Sequence, residues 1–276
     1  MSESVKQRRA FKWRADGIRE EADQLAVEEP LEIRLGGRRF TLTMRTPGRD
    51  EELAAGFLMA EGFVSTPGEL GEIRRLRDSK GAPDPNAIDV ILNVPAAGLR
   101  ERLKRNFAVS SSCGICGKTS IEAIERRIAP LTSTVAITPA ALLRLPAIMR
   151  EAQAVFAATG GLHAAALFAL NSADAPAIVV LREDVGRHNA VDKVVGYALA
   201  RDLVPLARHA LMVSGRLSFE IVQKAASAGV PILCAVSAPS SLAVELAEDL
   251  GMTLVGFLRE PNFNIYTHPE RIVAPS

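Results

Sequence analysis

Two of the three cysteines in this 276-residue sequence lie three positions apart in the segment SSCGICGK, at Cys113 and Cys116. A cysteine acts as a nucleophile, or holds a transferable sulfur atom, only as a thiolate, and a free thiol with a pKa of about 8.5 is mostly protonated at neutral pH. A predicted helix begins near Thr119 and Lys118 is adjacent, so a helix N-terminus and a cation both favour the thiolate. Metal binding, a disulfide and sulfur chemistry are the three uses to be weighed.

The sequence offers no partner ligands for a metal at this pair. A structural zinc site needs four ligands, usually from a second CxxC or a histidine pair, and no second CxxC is present. The zinc signature of deaminases places HxE before PCxxC, whereas the HxE of this chain follows the cysteines. We therefore expect no zinc, and three cysteines are too few for a disulfide framework. The four histidines are scattered along the chain at His163, His188, His209 and His268.

Two polar loops have the composition of an anion-binding site. Arg187 and His188 follow Gly186 in the segment EDVGRHNAVDK, at the predicted start of a helix, where backbone donors and cationic side chains converge. A second loop combines a hydroxyl, a glycine and a cation at Ser214, Gly215 and Arg216. Together with an arginine on a third loop, Arg259, they favour recognition of phosphate or pyrophosphate.

A structural interpretation of these polar residues stays open beside the functional one. Asp184 or Asn189 can cap the following helix, and Asp192 with Lys193 can be ordinary surface. His163, after the glycines of TGG, can join the same pocket or serve the core. No GxxxxGK[ST] and no GxGxxG is present, so neither a P-loop nor the usual dinucleotide-binding turn is predicted.

The elements that position these residues predict an α/β protein. The chain is 48% hydrophobic and 24% charged, which suffices for a substantial buried core. After a long helix that begins at Thr138 and ends at TGG, apolar strands alternate with helices, and this alternation predicts a mainly parallel sheet covered on both faces. Polar loops follow four of these strands, so we expect them at one edge of the sheet. Cys234 falls inside the strand-like segment PILCAV and is predicted to be a buried core residue.

Three regions are predicted along the chain. Residues 1–28 carry little periodic apolar pattern and are predicted to be a flexible basic tail. Residues 29–134 form an N-terminal α+β part that begins with a hairpin turning at Gly36 and Gly37 and contains the cysteine loop 110–118. Residues 135–276 form the C-terminal α/β domain, which carries the polar edge.

Charge and the N-terminal sequence exclude several partners. A net charge of +1 and a pI near 7.8 provide no overall field that would attract nucleic acid or an anionic membrane. The polar N-terminus, MSESVKQRRAFKWRADG, contains no apolar stretch of the kind that a signal peptide or a membrane anchor requires. We therefore expect a cytoplasmic protein that has no nucleic-acid partner and does not act at a membrane.

Four segments together resemble one protein family. CGICGK, TGGLHAAALF, EDVGRHNAVDK and SGRLSFEIVQKA stand in the order and at the spacing of the FdhD family, the formate dehydrogenase accessory sulfurtransferases, and the resemblance extends from about Glu29 to Tyr266. It implies that the protein accepts persulfide sulfur from a cysteine desulfurase and transfers it to the molybdenum bis-guanine-dinucleotide cofactor, as formate dehydrogenase activity requires. It also implies a C-terminal three-layer α/β/α domain similar in fold to cytidine deaminases, a smaller β-rich α+β part before it, and a homodimer.

The resemblance also assigns residues. Cys113 would carry the persulfide and Cys116 would assist it. The family's cofactor-binding segment commonly reads FxRGxRF, whereas this chain has FLREPNF, with Glu260 and Asn262 in place of a glycine and an arginine. This change removes a flexible position and a cation from the segment, while Phe263 is retained. The segment comprises Phe257, Leu258, Arg259, Glu260, Pro261 and Asn262.

Two rival functions remain open from the sequence. A chaperone could bind the molybdenum cofactor and deliver it without sulfur chemistry, in which case both cysteines would be dispensable. A dithiol oxidoreductase could use the CxxC pair to form a reversible disulfide, without any persulfide.

Overall fold

The computed structural model describes residues 3–95 and 128–274. The cysteine loop predicted at 110–118, with both of its cysteines, lies outside these residues, as do the helices predicted on either side of it. The prediction of a separate boundary near residue 134 stays a prediction.

The first element is a two-stranded antiparallel hairpin, where the sequence predicts a flexible tail. Strands β1 (Val5–Arg14) and β2 (Gly17–Ala26) pair along their whole length, with Trp13 opposite Ile18 near the turn. The prediction of a tail without regular structure is wrong for these residues, because cross-strand ion pairs such as Arg9 with Glu20 replace the apolar alternation that usually marks a hairpin.

A four-stranded sheet and one helix follow, as the sequence predicts. The strand order is β4-β3-β6-β5, in which β3 and β6 are parallel and the other neighbours are antiparallel. Helix α1 begins after Arg49 with three acidic residues in its first turn, where the helix dipole favours them. The elements are β3 (Glu29–Leu35), β4 (Arg38–Arg45), α1 (Asp50–Ala60), β5 (Leu70–Arg77) and β6 (Pro83–Leu92).

The C-terminal part is a six-stranded mixed sheet with the order β12-β11-β10-β9-β7-β8. The predicted alternation of strands and helices from residue 177 onward is confirmed. The strands are β7 (His163–Ala169), β8 (Ala177–Asp184), β9 (His209–Val213), β10 (Ile232–Ala235), β11 (Thr253–Arg259) and β12 (Asn262–Thr267). The helices are α2 (Pro139–Ala152), α3 (Ala154–Thr159), α4 (Arg187–Leu199), α5 (Phe219–Ser227) and α6 (Ser241–Asp249).

The prediction of a mainly parallel sheet needs a correction. Only β9–β10 and β10–β11 are parallel neighbours, because β7 is inserted antiparallel between β8 and β9, and β12 returns antiparallel to β11. Strands β8, β9, β10 and β11 nevertheless all point in the same direction. Their carboxyl ends therefore lie at one edge of the sheet, and the antiparallel β7 begins at that same edge.

Helices cover both faces of the six-stranded sheet, as predicted. Helices α4, α5 and α6 pack on one face, and the apolar cluster that they form there continues through α1 to the four-stranded sheet. Helix α2 packs on the opposite face. Cys234 is fully buried against α2, which confirms its prediction as a core residue, and burial raises the pKa of its thiol to about 12. The mixed α/β class is thus confirmed. None of the described helices is long and apolar enough to cross a membrane.

Candidate functional site

The polar loops that follow β8, β9, β10 and β11 lie at one edge of the sheet, as the sequence predicts. His163 joins them because β7 starts there. The loops are held to one another by backbone contacts: Leu217 donates to the carbonyl of Ala238 at 3.1 Å, in the next loop along the edge. We call this edge the rim, and it comprises residues 163, 184–188, 214–217, 237–240 and 257–262.

Asp184 is the structural centre of the loop after β8. It is fully buried, and its carboxylate accepts hydrogen bonds from the backbone of Thr46 at 3.2 Å and of Gly186 at 2.8 Å. The Lys193 Nζ lies 2.6 Å from the same carboxylate, and the Asn189 amide donates to it at 3.0 Å. The loop is thereby fixed to the chain that leaves the four-stranded sheet.

The structure corrects the surface interpretation of Asp192 and Lys193, because both side chains are almost completely buried. Asp192 forms an ion pair with Lys224 of α5, with Nζ to oxygen distances of 2.7 and 2.9 Å. Lys193 turns to Asp184 instead. The segments EDVGRHNAVDK and SGRLSFEIVQKA are therefore joined inside the protein, and most of their charged residues hold the rim in place rather than face a ligand.

Arg187 and His188 are the side chains of this loop that stay at the rim. His188 Nε2 lies 2.9 Å from a carboxylate oxygen of Glu220 and 3.3 Å from the Ser218 hydroxyl. This hydrogen bond from His188 lowers the pKa of Glu220. The Nε atom of Arg187 is buried and has no hydrogen-bond partner in the described part of the chain. A buried guanidinium nitrogen without an acceptor is costly, and an anionic ligand at the rim would satisfy it.

His163 lies beside Arg187, and the neighbouring charges decide its protonation. Burial lowers the pKa of His163, and the positive charges of Arg187 and His188 lower it further, while Asp184 acts in the opposite direction. The ring is therefore held towards its neutral form. A phosphate bound here would reverse part of this balance, because a negative charge favours the protonated imidazole.

The loop after β9 contains two residues of the predicted site, Ser214, which is bonded within the protein, and Arg216, which is exposed. The Ser214 hydroxyl accepts a hydrogen bond from the backbone of Ala164 at 2.8 Å and so extends the pairing of β7 with β9. Gly215 lies beside both Arg187 and His163, since a side-chain carbon built on it would be in ordinary van der Waals contact with them, at 3.5 Å and 3.7 Å. Arg216 is exposed to solvent and is free to reach a ligand.

The segment that the resemblance assigns to the cofactor contains both buried and exposed residues. Phe257 is half-buried and adopts φ 51°, an uncommon conformation for a bulky residue, while its backbone donates to the carbonyl of Ser237 at 3.1 Å. Leu258 is fully buried in the core beside α2, so its side chain anchors the segment and does not face the rim. Arg259 lies with its guanidinium carbon 5.8 Å from the centre of the Phe257 ring. The exposed residues are Arg259, Glu260, Pro261 and Asn262.

A cleft beside the rim contains residues that sequence reasoning missed. Its volume is about 710 Å³, and it lies between the α2–α3 region and the rim residues His163 and Ser214. The sequence predicts one long helix here, whereas the structure interrupts it at Gln153, between α2 and α3. The start at Thr138 and the end at Gly160 are as predicted. The polar and aromatic residues of the cleft include Arg150, Gln153 and Phe156.

Metal ligands are not gathered in the described part of the chain. No group of three or more histidine, cysteine, aspartate or glutamate side chains in residues 3–95 and 128–274 is arranged to hold a metal ion. His188 and His163, the histidines at the rim, lie instead beside Arg187, whose positive charge opposes binding of a cation there.

The fold and the motifs thus define a mixed α/β protein with a paired-cysteine segment and a cationic rim. The chain belongs to the FdhD/NarQ family, whose family model matches residues 26–273. It is 53% identical over 257 residues to the "Sulfur carrier protein FdhD" of Mycolicibacterium paratuberculosis, and the match covers 91% of this chain and 92% of that protein. It is 47% identical over 279 residues to the protein of the same name from Mycobacterium tuberculosis, with 99% of this chain and 100% of that protein covered.

A solved structure shares this fold. A formate dehydrogenase accessory protein from Desulfotalea psychrophila superposes with a TM-score of 0.75 at 28% sequence identity. The match covers 98% of this chain and 99% of that one, so it includes both the hairpin region and the six-stranded sheet.

Proposed function

We propose that this protein is a sulfurtransferase that accepts persulfide sulfur from a cysteine desulfurase and delivers it to the molybdenum bis-guanine-dinucleotide cofactor, for the maturation of formate dehydrogenase in the cytoplasm. One observation carries the proposal: three of the four family motifs meet at a single sheet edge, where they leave Arg187, His188 and His163 beside one another. The names of the relatives, sulfur carrier proteins and a formate dehydrogenase accessory protein, agree with it.

The sulfur step would take place at the cysteine pair. The Cys113 thiolate attacks the outer sulfur of the donor's persulfide, the donor cysteine leaves as a thiolate, and Cys113 retains the outer sulfur as a persulfide. Cys116 can then attack the inner sulfur of the Cys113 persulfide, so that the outer sulfur leaves as sulfide and passes to the molybdenum centre of the cofactor. This leaves a disulfide between the two cysteines, which cellular thiols reduce.

The rim would bind the cofactor as the substrate of the transfer. Each guanine dinucleotide contains a pyrophosphate, which Arg187 and the exposed Arg216 can neutralise, and the buried Arg187 nitrogen lacks an acceptor among the described residues. His188 can donate a further hydrogen bond. The Ser214 hydroxyl oxygen accepts a hydrogen bond from the Ala164 backbone, so its own O–H group can still donate to the ligand. Arg259 and the ring of Phe257 lie at the far end of the same edge.

The direct test is sulfur loading of Cys113. When the protein is incubated with a cysteine desulfurase and cysteine, intact-mass spectrometry should show one added sulfur on the wild type and none on Cys113→Ala, because alanine offers no thiolate. Cys234→Ala is the matched control and should load normally, since the Cys234 thiol is buried and its pKa is raised to about 12. Equal loading of Cys113→Ala and wild type would refute the proposal.

The rival functions give different results with the same variants. If a double Cys113→Ala, Cys116→Ala variant still produced active formate dehydrogenase, the protein would be a chaperone that delivers the cofactor without sulfur chemistry. Turnover on a protein disulfide without any persulfide would instead indicate a dithiol oxidoreductase.

The proposal also includes a homodimer. Phe11, Trp13 and Ile18 project from one face of the β1–β2 hairpin, with 66%, 77% and 69% of their surface exposed. A contiguous exposed apolar surface on a monomer marks a site of association. Light scattering that gave the mass of a single chain at micromolar concentration would contradict this part of the proposal.

A further inference from the structure

The N-terminal hairpin has one strand on the outside of the protein. Strand β2 packs against α3, whereas β1 forms the outer edge of the two-stranded sheet and pairs with β2 alone among the described residues. Proteins blunt such edges with prolines, bulges or charged side chains, because a long regular edge can accept a further strand. Strand β1 contains no proline, and its register with β2 is unbroken over ten residues. Only charge restricts what can pair with it.

The hydrogen bonds of the hairpin identify the backbone groups that face outward. The N–H of Val27 donates to the carbonyl of Ser4 at 3.0 Å, so these two residues form a hydrogen-bonded pair at the base of the hairpin. Hydrogen-bonded and non-hydrogen-bonded pairs alternate along an antiparallel ladder, and the unbroken register places every odd-numbered residue of β1 in a non-hydrogen-bonded pair. The N–H and C=O groups of these residues therefore point away from β2. They are Val5, Gln7, Arg9, Phe11 and Trp13.

The two faces of β1 differ in character. Successive residues of a strand point to opposite faces, so the even-numbered cations share one face and the aromatic residues share the other. The cations are Lys6, Arg8, Lys12 and Arg14, and the aromatic residues are Phe11 and Trp13. No acidic residue occurs in β1. The strand is therefore cationic on one face and largely apolar on the other.

Part of this positive charge has no acidic partner. Asp23 lies opposite Arg8 in the register, yet its carboxylate is bonded to Lys12 at 3.3 Å. Lys6 lies opposite Leu25, which has no charge. Both Lys6 and Arg8 are exposed, and neither forms an ion pair with a residue that the structure describes. A second β1 strand at this edge would bring like charges together, whereas an acidic strand would neutralise them.

We propose that the free edge of β1 binds an extended acidic segment of a partner protein as a third strand. The outward backbone groups supply the hydrogen bonds, and Lys6 and Arg8 pair with carboxylates of the added strand. The segment that fits alternates acidic and apolar residues, because its acidic side chains lie beside the cations and its apolar ones beside Phe11 and Trp13. A docked segment would extend, rather than cover, the apolar face assigned to the dimer.

The charges of β2 favour a peptide over a nucleic acid. Exposed aromatic residues beside cations are also found where single-stranded nucleic acids bind. Strand β2, however, contributes Glu20, Glu21 and Asp23 to the same ribbon, and Glu20 lies 3.3 Å from Arg9. A phosphate backbone that followed the ribbon would meet these carboxylates. A peptide strand also satisfies the outward N–H and C=O groups together, which phosphates cannot do, because they only accept hydrogen bonds.

The fluorescence of Trp13 provides the test, because Trp13 is the only tryptophan in the chain and lies in the hairpin. The probe is a capped peptide of alternating glutamate and valine, ten residues long like β1. It should change the fluorescence to a plateau, and its affinity should fall as salt is added. A lysine–valine peptide of equal length should not bind. A glutamate–valine peptide that is N-methylated at every residue should not bind either, because it keeps its charge but has no N–H to donate.

Two glutamines provide matched variants. Gln7 and Gln24 lie opposite one another in a non-hydrogen-bonded pair, so proline at either position removes an outward N–H without removing a hydrogen bond of the hairpin. Gln7→Pro, on β1, should weaken binding of the acidic peptide about fivefold or more, through loss of one edge hydrogen bond and local distortion of the edge. Gln24→Pro, on the opposite edge, should bind it like the wild type.

Charge reversal is independent of any effect of proline on the hairpin. Lys6→Glu combined with Arg8→Glu should weaken binding of the acidic peptide about tenfold, because two attractive pairs become repulsive. Equal affinity of the wild type for the acidic and lysine–valine peptides, or unchanged affinity in these variants, would overturn the inference. Tighter binding of oligothymidine would make the hairpin a nucleic-acid site instead, and dissociation of a dimer by the peptide would make the edge an interface between two copies. Sulfur loading of Cys113 needs no peptide, so the proposed function stands or fails separately.

Discussion

Replacing Gly196 with alanine is expected to destabilise the protein by about 3 kcal/mol, at the upper end of the usual cost of overpacking. A side-chain carbon on Gly196 would lie 1.8 Å from the Glu52 carbonyl oxygen and 2.9 Å from the backbone nitrogen of Gly56. Both neighbours are backbone atoms of α1, so no rotation of a side chain can relieve the contact. Alanine normally favours a helix over glycine, and the sign of the effect is therefore opposite to that expected from helix propensity.

The contact is reciprocal, which explains why the cost should be large. A carbon on Gly56 would lie 1.9 Å from the Asp192 carbonyl oxygen of α4. Helices α1 and α4 thus approach backbone to backbone, and α1 continues the apolar cluster between the two sheets. Forcing the helices apart would also displace the buried pair of Asp192 and Lys224.

Urea unfolding followed by circular dichroism measures the loss directly. Gly68→Ala is the control, because a carbon on Gly68 meets no atom within 4 Å, and it should unfold at nearly the wild-type midpoint. Since domains are stable by only about 5–15 kcal/mol, the unfolding midpoint of Gly196→Ala should fall clearly below the midpoints of the wild type and of Gly68→Ala. Equal midpoints for the two variants would show that the helices separate without cost.

The alternating elements could be predicted from the sequence, but the N-terminal hairpin could not. Segments such as HALMVSG and PILCAV are apolar because the sheet is covered on both faces, and that burial is visible in composition alone. The hairpin pairs backbone to backbone along its whole length, and its strands carry exposed ion pairs such as Lys12 with Asp23 and Arg14 with Glu21. Charged strands without a buried face lack the period that sequence reasoning detects.

The site was predictable where it depends on strand ends and not where it depends on distant partners. Arg187 and Ser214 follow strands, so their shared edge follows from chain direction. The burial of Lys193 depends on Thr46, 147 positions away, and the helix break at Gln153 precedes a helix start that Glu183 caps from 27 positions away. No local pattern records such contacts. The insertion of the antiparallel β7 likewise depends on its pairing with β9 rather than on its own sequence.

Lys193→Met is expected to have the other large effect, a loss of about 3–5 kcal/mol of stability, because it leaves a buried charge without its partner. The Lys193 Nζ lies 2.6 Å from Asp184 and donates to the Thr46 carbonyl at 2.9 Å. Methionine can occupy the volume of the aliphatic chain but supplies neither contact. The Asp184 carboxylate, which has no exposure to water, would then be paired only by neutral donors.

Two comparisons separate this effect from a general loss of charge. Arg9→Met removes an exposed pair with Glu20, whose side chains are 69% and 51% exposed, and should change the unfolding midpoint little. Adding Asp184→Asn to Lys193→Met should restore part of the lost stability, since the unpaired charge is then removed as well. The two residues would not be coupled if Asp184→Asn lowered the stability of Lys193→Met by as much as it lowers the stability of the wild type. Because this pair holds the rim loop to Thr46, Lys193→Met should also weaken pyrophosphate binding under conditions where it remains folded.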